Sequence, residues 1–191
     1  MTQFRKLKAQ SLADINSIDS PQHSTHIDLD SPASEVLTDF SKQTPLMLEQ
    51  GTTIDEAQAL MKKTHVKLKL VIDSNESFRG VLSLSDLVSV KVMRAMEVTG
   101  LRREDLTVAD VMTHKDAIHA IDISDVKPAK IGDLLATMKT YGDQHVLIVD
   151  NNRGAICGLV SANDIARNLN IPIFINERAN SFSQIYDAVK H

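Results

Sequence analysis

Two stretches of this chain carry one pattern. Gly80-Val81-Leu82-Ser83-Leu84-Ser85-Asp86-Leu87 is matched by Gly158-Leu159-Val160-Ser161-Ala162-Asn163-Asp164-Ile165, so glycine, two apolar residues, serine, two spacers and aspartate occur twice. The match extends upstream. Ile54, Ala59, Met61, Leu70 and Asp73 correspond to Ile131, Ala136, Met138, Leu147 and Asp150 at an offset of 77, which becomes 78 at the glycines. One added residue explains the change, and the turn-rich run Asp150-Asn151-Asn152-Arg153-Gly154 is where a chain absorbs it most easily. A duplicated order of elements requires two small units built alike and fused.

The order within each copy follows from periodicity and turn chemistry. In the first copy, Pro45 to Leu48 is a short strand, and Thr52-Thr53-Ile54-Asp55-Glu56-Ala57 opens a helix with hydroxyl and acidic residues at its N-terminus. Lys67 to Asp73 and Phe78 to Leu82 then read as paired strands, and Asp86 starts a helix running towards Gly100. The second copy repeats this with a lead-in at Val108 to Met112, a strand at Ile118 to Ile123, a longer loop from Ile123 to Lys130 and a helix from Ile131 to Tyr141 ending at Gly142. Strands at Val146 to Asp150 and Ala155 to Val160 follow, and the helix from Asp164 stops before Pro172. Each unit is therefore β-α-β-β-α in an α/β fold. Units of about 65 residues are only marginally able to bury enough surface alone, which favours packing of the halves together, with approximate twofold symmetry.

Residues 1–35, rich in Ser, Asp, Gln and His, read as an extension in which Phe4 to Leu12 forms a short helix once docked. The repeats then occupy 36–100 and 101–171. In the tail, 172–191, Phe182, Ile185, Tyr186 and Val189 have the spacing of an amphipathic helix.

Bulk properties exclude some functions. A formal charge of −4 disfavours wholesale neutralisation of nucleic-acid phosphates. No apolar run approaches the length of a membrane span and the first residues hold no signal-peptide core, so a cytoplasmic setting is expected. Cys157, the one cysteine, lies in an apolar run and reads as a buried strand residue. His23 and His26, with Asp28 and Asp30, are the closest approach to a metal-ligand cluster, but the segment is too polar to specify one. No glycine-rich phosphate loop is present and no set of residues supplies a nucleophile, base and electrophilic stabiliser together, so no enzyme activity and no required cofactor are expected.

At the paired Gly-apolar-apolar-Ser-x-x-Asp segments, preceded by Val71-Ile72-Asp73 and Ile148-Val149-Asp150, residues 36–170 resemble a tandem pair of cystathionine-β-synthase (CBS) domains, a Bateman module. Val108 to Thr113 is similar to that family's usual lead-in, and Thr38-Asp39-Phe40 is a weaker counterpart. The resemblance implies two repeats packed by their sheets around clefts that take AMP, ADP, ATP or S-adenosylmethionine. It also implies a regulatory role exerted through a protein interface, homodimerisation and an unidentified protein target. The family's ribose-contacting aspartate falls on Asp86 and Asp164, and its hydroxyl position on Ser83 and Ser161.

Chemistry supports these roles beside an alternative. A carboxylate accepts hydrogen bonds from both hydroxyls of a ribose diol. Yet Ser-x-x-Asp is also a capping box that merely starts a helix. The resemblance implies that His145, where the family often carries a basic residue, is aimed at phosphate; the alternative is an exposed histidine at a strand start. Val146, Leu147 and the strand from Ile118 to Ile121 are candidate walls for adenine. Lys67 and Lys69 either hold an anion or solvate a strand face, and the post-motif residues Val88, Val92 and Met96 form the expected dimer contact. Met93 and Met96 are read as helix packing, with Arg94 at an interface or in solvent. Where the family often has proline in the strand before the aspartate, this chain has Leu70 and Leu147. The competing function is a ligand-independent dimerisation or interaction scaffold.

Overall fold

The computed structural model describes residues 27–173 and residue 175. The predicted helices at Phe4 to Leu12 and Phe182 to Val189, and His23 and His26, lie outside the described residues. Among the described residues eight strands form two four-stranded sheets: β1 (Thr38–Asp39), β2 (Met47–Glu49), β3 (Leu68–Ile72), β4 (Phe78–Ser83), β5 (Thr113–His114), β6 (Ala120–Asp122), β7 (His145–Asp150) and β8 (Ala155–Ser161). The helices are α1 (Ile54–Lys63), α2 (Val90–Thr99), α3 (Val108–Val111), α4 (Ile123–Val126), α5 (Ile131–Tyr141) and α6 (Ala162–Leu169). The predicted order β-α-β-β-α is present twice.

Strand pairing crosses between the repeats. One sheet has the order β2-β3-β4-β5 and the other β1-β8-β7-β6. Thus β5, which leads into the second repeat, completes the first repeat's sheet, and β1 completes the second's. The two exchanged strands dock in the same register: Gly80 faces His114 and Val81 faces Thr113, while Gly158 faces Asp39 and Leu159 faces Thr38. This explains the repeated glycines. A Cβ at Gly80 would collide with the carbonyl oxygen of Thr113. At Gly158 it would lie 2.9 Å from the Thr38 carbonyl oxygen and 2.7 Å from Leu37 Cδ1. Only a residue without a side chain admits the incoming backbone.

The hairpins share a second irregularity. Pairing skips Arg79 between Val71 and Ile72, and skips Cys157 between Ile148 and Val149, so each carries a β-bulge at the same place. The added residue falls in the turn, where Asp150 to Ala155 forms an extra pair and Gly154 takes a left-handed φ of 61°. In the shorter first turn Glu76 adopts φ 59°, and Asp73 ties the turn by accepting from the N–H groups of Asn75 and Ser77. Those bonds, led by the one from Ser77, with Arg79 alongside, hold the Asp73 carboxyl below its usual range.

Each sheet is covered on one face by its own helices. Ile54, Ala57 and Met61 of α1 pack on Leu48, Val71 and Leu82 with Val92 and Ala95 of α2. Leu106, Val108, Val111 and Met112, from the segment before β5, fill the same core. The second core joins Ile131, Leu134 and Met138 of α5 to Val146, Ile148, Val160 and Ile165, and takes Ala33 and Val36 from before β1. Residues 27–35, read from composition as an extension, are docked. Ala33 N–H donates to Ala129 O at 2.9 Å, Ile131 N–H to Ser31 O at 2.9 Å, and Lys130 Nζ contacts Asp30 at 2.7 Å.

The helix expected from Asp86 to Gly100 is interrupted. A 3₁₀ turn spans Asp86–Val88, Ser89 resets the backbone and caps α2 by accepting from Lys91 N–H, and Gly100 closes α2 with φ 70°. Gly142 ends α5 in the same way, with φ 71°. The loop expected from Ile123 to Lys130 contains the one-turn helix α4, started by Asp122. Five side chains depart from expectation. Lys69 is buried, because alternation along β3 sends it with Val71 towards the helices. Val92 is buried and Met96 packs on the first core, which removes both from the expected dimer surface. Met93, read as packing, is 71% exposed. Cys157 is half-buried, its thiol directed at Ile148 O, and burial raises its pKa so that it stays protonated.

Candidate functional site

Strand alternation sorts the candidate residues onto two faces of the sheets. Val146 and Ile148 point to the helix-covered core, so Val146 is no pocket wall. His145 and Leu147 lie on the opposite face, where the two repeats meet, and there they line a cleft of about 1000 Å³. The first repeat contributes Lys67, Leu68, Val81, Ser83 and Asp86, and α2 adds Lys91 and Arg94. The exchanged segment supplies Met112, Thr113, His114, Ile118 and His119. Repeat pairing thus brings together residues that are far apart in sequence.

The cleft is basic. Asp86 is tied to Lys91 at 2.6 Å, and Asp143 to His119 at 3.1 Å, with the His119 ring packed on Tyr141 at a centroid distance of 4.5 Å. Lys67 and Arg94 form no ion pair with any described residue. His145, largely enclosed, has its pKa lowered by burial. Asp164 opposes that shift and Lys67 reinforces it.

The two aspartates of the repeated motif have different fates. Asp86 makes a complete capping box: Ser83 N–H donates to Asp86 Oδ2 at 2.8 Å, and Asp86 N–H donates to Ser83 Oγ at 3.1 Å. Its remaining oxygen meets Lys91, and the side chain is only 12% exposed. Ser161 makes no capping bond at the start of α6. Asp164 is 41% exposed, and its one ion pair among the described residues is with the 78% exposed Arg167, at 2.8 Å. Capping therefore accounts for the aspartate of the first copy and not for that of the second.

Asp164 opens onto a smaller pocket of about 200 Å³, lined also by Glu35, Val36, Leu37, Thr38, Arg167 and Asn168. Ser161 is buried and faces His145 across the β7–β8 pair, so Ser161, His145 and Asp164 are brought to one neighbourhood. His145 faces the large cleft while Asp164 lines the small pocket. Thr113, His114, His119 and Lys91 were not singled out from sequence. The threonine at position 38 and at 113, one in each lead-in, was the signal available for the first of them.

Comparison with known proteins agrees with this architecture. The sequence profile of the CBS domain matches twice, over residues 33–92 and 104–171. No curated protein matches the sequence. Among solved structures, an uncharacterized conserved protein from Pyrococcus horikoshii superposes with a TM-score of 0.56 at 23% identity, over 78% of this chain and 98% of that one. CBSX2, solved in complex with AMP, gives 0.53 at 19% identity over 72% and 94%. The CBS-domain containing protein ATU1752 from Agrobacterium tumefaciens gives 0.52 at 18% over 68% and 88%. With two family matches in register with two complete repeats, this chain belongs to the CBS domain family, as a tandem CBS pair.

Proposed function

We propose that this CBS pair is a regulatory module that binds a phosphorylated adenosine nucleotide between its repeats and signals through a protein interface, without turning the ligand over. The observation that carries this reading is the cleft of about 1000 Å³ with Lys67 and Arg94 unpaired among the described residues and His145 beside them. Such a surface favours AMP, ADP or ATP over S-adenosylmethionine, whose sulfonium adds positive charge. In this arrangement the phosphates lie in the cleft beside His145 and Lys67, and the ribose hydroxyls reach Asp164 in the smaller pocket past Ser161, which pairs with His145 across β7 and β8. Leu147, Leu68 and Ile118 supply apolar wall for the base. The AMP complex of CBSX2 is consistent with it.

Calorimetric titration of ligand-stripped protein with AMP, ADP, ATP and S-adenosylmethionine tests the proposal. Saturable binding of at least one phosphorylated nucleotide is expected, with the sulfonium compound weaker. Absence of binding to all four would favour the scaffold reading.

A specific observation supports self-association. Val88, Met93 and Val98, in and just before α2, are 70%, 71% and 80% exposed. Apolar side chains so clustered on one short segment suit a second copy of this chain. Light scattering should report a dimer at micromolar concentration, and Met93→Glu should shift it to monomer; a wild-type monomer would end this part of the proposal.

A further inference from the structure

The internal symmetry of the fold sets Thr113 against Asp86 in the first repeat as it sets Thr38 against Asp164 in the second. Thr113 faces Val81 and Thr38 faces Leu159, and Val81 and Leu159 are equivalent at the offset of 78. Between Thr38 and Asp164 lies an open pocket of about 200 Å³. Between Thr113 and Asp86 lies an ammonium group. Lys91 Nζ is 2.6 Å from Asp86 Oδ1 and 2.9 Å from Thr113 Oγ1.

We propose that Lys91 is a built-in occupant of the first motif, which closes that motif to a diol and leaves one nucleotide site per chain, at Asp164. Three observations support this. Asp86 has Oδ2 bonded to the Ser83 backbone and Oδ1 to Lys91, and the Lys91 ammonium, held also by Thr113, fills the space a ribose would enter. The position equivalent to Lys91 is 91 + 78 = 169, and Leu169 packs against the second core; the cation on Asp164 is instead Arg167, whose side chain is 78% exposed and bonds one oxygen only, against 31% for Lys91. Ser89, which separates the 3₁₀ turn from α2, sets the helix so that the Lys91 backbone N–H bonds Ser89 Oγ at 3.2 Å while its side chain reaches back to Asp86. The same ammonium also pins the exchanged strand β5 to the first repeat. It is therefore the residue that decides which of two equivalent motifs is available.

The consequence for stoichiometry rests on the nucleotide reading above, whereas the lock itself can be tested without nucleotide. In the full chain free of ligand, acetylation of Lys91 by a water-soluble acetylating ester, followed by peptide mass spectrometry, should run about tenfold slower than that of Lys42, because the Lys91 nitrogen is held between Asp86 and Thr113 and its side chain is only 31% exposed. Lys42, with an 82% exposed side chain and only a 3.5 Å contact to Asp39, serves as the reference. Asp86→Asn should remove most of that protection. Equal rates in the wild type would overturn the lock. Titration with ATP then counts sites. One per chain is expected in the wild type and two in Lys91→Met, with the second lost again in Lys91→Met combined with Asp86→Asn. Two sites in the wild type, or one in a folded Lys91→Met, would overturn the proposal while sparing the nucleotide reading. No binding to either form would defeat both the nucleotide reading and the claim that Lys91 hides a site.

Discussion

Gly80 pairs with His114 across the seam between the two repeats, and the incoming strand lies so close that the space for a side chain is filled by the Thr113 carbonyl. The strand exchange and the repeated glycine are thus one feature. Gly80→Ala should destabilise the fold by about 1–3 kcal/mol, as overpacking against backbone does. Gly158→Ala should cost less, because its nearest neighbour is the movable end of Leu37, although the Thr38 oxygen at 2.9 Å still resists. Chemical denaturation of the two variants checks the order, and equal, negligible losses would contradict the close approach.

The exchange also predicts where the chain can be cut. A fragment of residues 36–100 lacks Leu106, Val108, Val111 and Met112, which complete the first core. It should show no cooperative unfolding transition. A fragment of residues 44–116 keeps those side chains and β5, and should unfold more cooperatively by circular dichroism.

The aspartates should separate stability from binding. Asp86→Asn disturbs a capping box and an ion pair, so it should lower the unfolding free energy by about 1–2 kcal/mol. Asp164→Asn touches neither a cap nor a core contact and should leave the melting temperature nearly unchanged. It should weaken nucleotide by about 1.5–3 kcal/mol, or roughly one to two decades. Thermal melting beside calorimetry measures both, and unchanged affinity in Asp164→Asn would remove it from the ribose site.

His145 gives a pH dependence of known sign. Its folded pKa lies below the value of about 6.5 expected when unfolded, so the unfolded chain binds the proton more readily. Its contribution is fully present above about pH 6.5 and is lost as pH falls from there through the lowered folded pKa. A phosphate beside the ring favours the protonated form, so nucleotide binding should take up a fraction of a proton at pH 7. Calorimetry in two buffers of different ionisation enthalpy detects that uptake, and His145→Gln should abolish both effects.

The repeat alone determined that the chain builds two α/β units in register, because hydrophobic period and turn chemistry are local properties carried by neighbouring residues. The strands, α1 and the Gly100 and Gly142 stops are legible for that reason. Exchange of β1 and β5 was decided only in three dimensions, since Thr38 and Asp39 carry too few residues to reveal a partner more than a hundred positions away. The unequal roles of Asp86 and Asp164 were hidden for the same reason. Both motifs are compatible with a cap, and only the folded chain buries Asp86 between Ser83 and Lys91 while Asp164 stays 41% exposed beside Arg167. Val146 and Leu147 show the limit at its smallest scale. Alternation states that they face opposite ways, and which way is inward depends on which face the helices cover.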